Sequence, residues 1–216
     1  MMLRREFLLA VVALWLASGA RAAEATVWRL DDTKRVGGNG TEVFGAPRVV
    51  DGAVAFDGVN DGLFVAANPL AGWRAFTVEV LFRPTEGGPT EQRFFHAQDT
   101  AAARVMIETR LDGAGAWWLD TFLLKPGNTG RPLIDATRKH ATGRWHWVAL
   151  RYDGKTMAHF VNGVKDLEGD VVFGPMLEGK ISLGVRQNRV HWFKGEIREV
   201  RFVPEPLADE KLQRVK

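Results

Sequence analysis

Few side chains in this sequence are of a type and spacing that could do chemistry. Residues 143–163, GRWHWVALRYDGKTMAHFVNG, bring His146, His159 and Asp153 into one short stretch, and His with Asp could share a proton in acid–base work. Strand periodicity argues otherwise. It puts His146 with Val148, Leu150 and Tyr152 on one face, Trp147, Ala149 and Arg151 on the other, and His159 with Met157 and Val161 on the paired strand. The first face reads as core, so both His are expected as hydrogen-bonded structural residues. Asp153 is the Asp of a turn before Gly154. A carboxylate acid–nucleophile pair needs two acids close together on one face, and within a single strand a spacing of two residues provides that. Glu79 is followed by Leu81, Glu108 by Arg110, and Glu196 and Glu199 are three apart. No same-face pair emerges along any strand. Tyr152 is the single Tyr, His96, His140 and His191 are isolated, and no nucleophile motif, phosphate loop or zinc-spaced His pair occurs. No residue is therefore assigned a catalytic role.

The elements that would position these residues are short strands. FTVEVLF (76–82) alternates with Phe76, Val78, Val80 and Phe82 on one face. Segments 104–111, 117–124, 145–152, 157–161, 181–185 and 197–203 are of similar length, and EGGP, LDGAG, KPGNTG, YDGK, VNG and FGP punctuate them. Trp117 and Trp118 are adjacent, so only one can be core. Trp145 and the Val148/Leu150 face are expected to hold two sheets together. One helix is expected, PLADEKLQRV (206–215). Regular short strands with no repeat or linker argue for a single antiparallel β-sandwich or barrel over residues 23–216.

Residues 1–22 read as a secretory signal. Arg4 and Arg5 precede an apolar run, and the small residues Ala20 and Ala22 end it. The Arg pair before x-Phe-Leu also fits twin-arginine export. Removing this leader takes away three Arg and one Glu, and lowers the net charge from +3 to about +1. No basic run with interleaved aromatics remains, so nucleic acid is not an expected partner. The mature chain has no membrane span and is expected in the periplasm or outside the cell. Without Cys it must rely on its core.

Six segments then occur in a telling order: FDGVNDGLFV (56–65), FTVEVLFRPT (76–85), GRWHWVALRYDG (143–154), HFVNG (159–163), FKGEIREVRF (193–202) and PLADEKL. Together they resemble the laminin-G-like branch of the concanavalin A-like lectin/glucanase superfamily, over roughly residues 53–212. The resemblance implies a jelly-roll of two antiparallel sheets, with an early strand near TVWRL beside the last strand, IREVRF. Hydrolases of that superfamily carry Glu-x-Asp-x-(x)-Glu on one strand, which this chain lacks. Many relatives bind calcium. Asp57, Asn60 and Asp61 in DGVND supply suitable oxygens, the competing reading being a polar turn, and Arg198 stands where relatives often have Asp.

Sugar binding calls for a flat aromatic face beside paired donors and acceptors. The polar stretch RQNRVHW (186–192) offers Trp192 with Arg186, Asn188 and His191. Trp147 with Arg151 is a second group, where an Arg opposite the core face needs solvent or a ligand. The leading expectation is a non-catalytic carbohydrate-binding or adhesion module, with a glycan as partner. A carbohydrate-active enzyme with an unrecognised site, and a domain that binds protein, are the alternatives.

Overall fold

The computed structural model describes residues 24–215, so the expected leader lies outside the described residues. In chain order the strands are β1 (Thr26–Arg29), β2 (Arg35–Val36), β3 (Asn39–Phe44), β4 (Arg48–Val50), β5 (Ala53–Asp57) and β6 (Gly62–Val65). Four long ones follow: β7 (Phe76–Pro84), β8 (Glu91–Asp99), β9 (Arg104–Leu111) and β10 (Ala116–Leu124). The remainder are β11 (Arg131–Ile134), β12 (His140–Ala141), β13 (His146–Tyr152), β14 (Thr156–Val161), β15 (Val164–Asp170), β16 (Gly179–Leu183) and β17 (Lys194–Val203).

They form two antiparallel sheets. The first has 8 strands ordered β15-β14-β13-β7-β17-β5-β4, with β1 also on β17; the second has 9, ordered β11-β10-β9-β8-β16-β6-β3-β2, with β12 on β10. Trp28 pairs with Val200 across β1 and β17, which joins the two ends of the domain. The expected two-sheet jelly-roll is thus the observed fold.

Alternation explains the core. Phe76, Val78, Val80 and Phe82 of β7 and Val148, Leu150 and Tyr152 of β13 face inward from the first sheet; Val105, Ile107 and Leu111 of β9 and Trp117, Leu119 and Leu123 of β10 face inward from the second. Phe82 stacks on Phe94 with ring centroids 4.3 Å apart, and Trp117 meets Phe82 edge-on at 5.1 Å. Polar contacts also cross between the sheets, among them Thr121 Oγ1 to His159 Nδ1 and His140 Nε2 to Asp166 Oδ2, both 2.9 Å. His146 Nε2 donates to the Ala141 carbonyl at 2.9 Å.

Two expectations require correction. Residues 206–215 are not a helix; they run extended, with one 3₁₀ turn at Asp209–Lys211. Leu207 and Leu212 are buried on the outer face of the first sheet against Ala149, Ala158, Phe160 and Val203. The Leu207 N–H donates to Thr77 Oγ1 at 2.9 Å and the Gln213 N–H to Glu79 Oε1 at 2.7 Å. Those backbone donors serve β7 instead of the carbonyls a helix would offer them. Trp145 is not in the core either. It lies half-buried just before β13, with the guanidinium carbons of Arg198 and Arg83 at 4.3 and 5.1 Å from its ring centroid. Trp117 takes the anchoring place, while Trp118 points the other way.

Candidate functional site

The second sheet carries its unusual chemistry on its outer face, away from the core. Along β9 the inward Val105, Ile107 and Thr109 alternate with outward Arg104, Met106, Glu108 and Arg110. Along β10 the outward set is Trp118, Asp120 and Phe122. Antiparallel pairing sets Glu108 directly opposite Asp120, and Arg110 opposite Trp118. On the other flank, β8 contributes Glu91 and Arg93, after which a bulge between Arg93 and Phe95 restores the phase so that His96 also faces out. The result is a groove of about 260 Å³ floored by charge and lined at one side by Phe122, with Trp118 on the same outer face of β10.

The acids are held by arginines. Arg110 donates to Asp120 Oδ2 from Nε (2.9 Å) and Nη2 (2.6 Å), and its Nη1 meets Glu91 Oε2 at 2.7 Å. Arg93 lies between Glu91 and Glu108, with its Nε 3.1 Å from Glu108 Oε1. Its Nε and Nη1 are sealed from solvent in ion-pair reach of these acids but without hydrogen-bond alignment. Burial, then the Asp120 carboxylate, pushes Glu108 up to about 7, and the pull of Arg93 and Arg110 does not offset this. Asp120 is also raised, mainly by burial. No single strand carries a same-face carboxylate pair, yet Glu108 and Asp120 form one across two strands. Its signal lay in the LDGAG turn, since counting outward from that hairpin matches Glu108 with Asp120.

The loop 186–192 borders the same groove. The His191 carbonyl accepts from the Arg93 N–H at 3.0 Å, and the Gln187 N–H donates to His96 Nδ1 at 3.2 Å. Arg186 lines the groove, and His191 Nδ1 is 3.9 Å from Glu91 Oε1. Arg189 and His191 both adopt positive φ, 58° and 59°, a conformation costly for side chains with a Cβ. Asn188 is exposed. Trp192 is half-buried on the far side of the loop, where a Cβ on Gly62 would come within 3.3 Å of its ring.

The structure does not bring Trp147 and Arg151 to this loop. They lie on the outer face of the first sheet, where Trp147 is buried. Arg151 donates to the Leu207 carbonyl (2.7 Å) and Asp209 Oδ1 (2.6 Å), and its guanidinium packs 4.6 Å from the Phe160 ring. The chain's own C-terminal segment meets the need that suggested a ligand there.

Asp57, Asn60 and Asp61 border a larger cleft, of about 630 Å³, but their carboxylates serve the backbone. Asp57 Oδ1 accepts from the N–H groups of Val59, Asn60 and Asp61, and Asp61 accepts from those of Ala46 and Asp57. This is the polar-turn arrangement. Among the described residues no group of three metal-ligating acidic, His or Cys side chains is found, and no helix is long and apolar enough to cross a membrane.

A laminin G family model described as "Concanavalin A-like lectin/glucanases superfamily" matches residues 57–213. No curated protein sequence is matched. Domain 4 of AbnA, an extracellular arabinanase from Geobacillus stearothermophilus solved in complex with arabinotriose, superposes with a TM-score of 0.68 at 19% identity, over 88% of this chain and 97% of that one. The binding domain of botulinum neurotoxin serotype D gives 0.64 at 13% identity, over 86% of this chain and 49% of that one. The same toxin's ligand binding domain in complex with N-acetylneuraminic acid gives 0.61 at 15%, over 86% and 48%. This chain therefore spans about half the length of the toxin chains.

Proposed function

Because this chain belongs to the laminin G branch of the concanavalin A-like lectin/glucanase superfamily, we propose that it is an exported, non-catalytic carbohydrate-binding module with its site on the outer face of β8–β10. The observation that carries this reading is the row Trp118–Asp120–Phe122 beside Glu108 and Arg110. An aromatic face takes the apolar side of a sugar ring, and fixed charged groups beside it satisfy the hydroxyls. Solved neighbours of like fold in complex with arabinotriose and with N-acetylneuraminic acid support it. The residues 1–22 pattern supports export, to the periplasm or beyond the cell. Arg186 and His191 would close one side of the groove, with exposed Asn188 beside them in the loop and Trp192 behind it.

A screen of soluble polysaccharides tests the reading: retention without new reducing or unsaturated ends is expected. Trp118→Ala should weaken binding roughly tenfold, and Trp192→Ala should weaken it less. Both should leave the melting temperature within a few degrees of wild type. A large fall in stability with retained affinity would remove that Trp from the site.

One observation favours a second reading, a carbohydrate-active enzyme: Glu108, raised to about 7, faces Asp120. The arginine grip argues against it, since two Arg110 donors engage Asp120 Oδ2 and so lower the nucleophilicity of that carboxylate. Glu79 is similarly held by Arg201 and Glu196 by Arg83. No covalent glycosyl-enzyme is expected on Glu79, Glu108 or Glu196 in mass spectra taken after incubation with activated fluoro-glycosides. A glycosylated peptide containing any of the three would establish the enzyme.

A further inference from the structure

We infer that the groove on β8–β10 selects an anionic sugar, one bearing a ring carboxylate or a sulfate ester, and that Arg104 and Arg186 bind its charge. The inference rests on the carbohydrate-binding reading and narrows its ligand class. Four guanidinia line this groove against two carboxylates, Glu108 and Asp120, with Glu91 beside it, and they are not evenly matched. Arg93 and Arg110 account for Glu91, Glu108 and Asp120. Among the described residues Arg104 and Arg186 stand in no ion pair, yet both line the same groove. Arg104 Nε is sealed from solvent with no hydrogen-bond partner. A guanidinium left this way forfeits bonds that it would make in water.

Their neighbours report the excess of positive charge. Arg186 is held below its ordinary range by burial and then by Arg93 and Arg104. His96, buried among the same three arginines, is pushed down to about 3, chiefly by burial and then by Arg186, Arg104 and Arg93. It accepts from Gln187 at Nδ1, so its neutral ring carries the proton on Nε2, which is buried and has no acceptor. The site thus presents several unused donors and no unused anion. A planar guanidinium fork matches a carboxylate or sulfate group in geometry as well as charge. The nearby Trp118 and Phe122 would receive the ring that carries it. The two backbone outliers of the loop, Arg189 and His191, follow Arg186, and the Arg189 N–H closes a turn onto the Arg186 carbonyl at 2.8 Å. Strain of this kind persists where surrounding contacts hold it.

Affinity electrophoresis and calorimetry with the full chain test this. The probes are polygalacturonate and alginate, the same polymers with their carboxylates reduced to alcohols, dextran sulfate, and neutral arabinan and dextran. At least one charged polymer should bind ten times or more tighter than its uncharged counterpart, and rising salt should weaken that binding. A preference for the polyuronates or for dextran sulfate identifies the anion. Arg104→Gln and Arg186→Gln should each cost on the order of tenfold to a hundredfold in affinity for the charged polymer, with melting temperatures unchanged. Equal affinity for charged and uncharged forms, or full retention by both variants, overturns the inference and leaves the carbohydrate-binding reading standing. Failure of wild-type protein to bind any polymer, charged or neutral, overturns that reading and this inference with it.

Discussion

Trp117→Ala should lower the unfolding free energy by about 3–5 kcal/mol, and Trp145→Ala by clearly less. Trp117 is fully buried and touches three rings: Phe82 at 5.1 Å, His140 at 4.9 Å and His146 at 5.1 Å. Its indole N–H donates to the Ala141 carbonyl at 3.2 Å. Truncation removes the transfer energy of a large aromatic and opens a cavity that the stiff strands around it can only partly close. It also unseats the His140–His146 corner, where β12 and β13 meet the sandwich. Trp145 lies outside that core, and its two cation–π neighbours are arginines at the surface, an arrangement worth about 0.5–1 kcal/mol. Urea titration of both variants decides the matter. Equal losses would show that the sandwich is anchored at Trp145 after all.

Acid should destabilise the protein well above the carboxylate range. Burial pushes His159 down to about 4 and His96 to about 3. The unfolded chain takes up protons near pH 6.5 that the folded protein refuses, so stability is full above that pH and falls as pH drops toward 4 and then 3. For His159 the loss is on the order of 3 kcal/mol, because protonation would seal a charged imidazolium between the sheets. Glu108 acts with the opposite sign. Its folded pKa is raised to about 7, so its contribution is whole below pH 4.5 and is lost as pH rises through 7. The expected profile is a dome with two separable limbs. His159→Gln should flatten the acid limb between pH 4 and 6.5, and Glu108→Gln the neutral limb. If both variants keep the wild-type profile, these groups do not titrate as their surroundings imply.

The neutral limb bears on binding as well. A protonated Glu108 leaves the groove more positive, so capture of an anion should tighten as pH falls from 7 toward 5. This is the direction opposite to the stability lost through the histidines. The site and the core of this domain therefore respond to the same pH range for different reasons.

The alternation of β7 and β13, the turn residues between strands and the order of short motifs were enough to derive the two-sheet sandwich and most of its core. Side-chain period along a strand is a local property, and burial of one face enforces it. The same logic correctly sent Trp117 and Trp118 to opposite faces. It failed where backbone donors had distant partners: PLADEKLQRV has helical spacing, but Thr77 and Glu79, more than a hundred residues earlier, claim its N–H groups. The loop 186–192 stood out by its polarity, whereas the floor beneath it did not. Glu108, Asp120, Arg93 and Arg104 are unremarkable one strand at a time. Only the pairing of β8, β9 and β10 sets them side by side, because a sheet's cross-strand neighbours are chosen by register, which depends on turns, a bulge and the packing of the opposite face. What each residue could do was therefore contained in the chain itself; which residues could act together was decided by the tertiary structure.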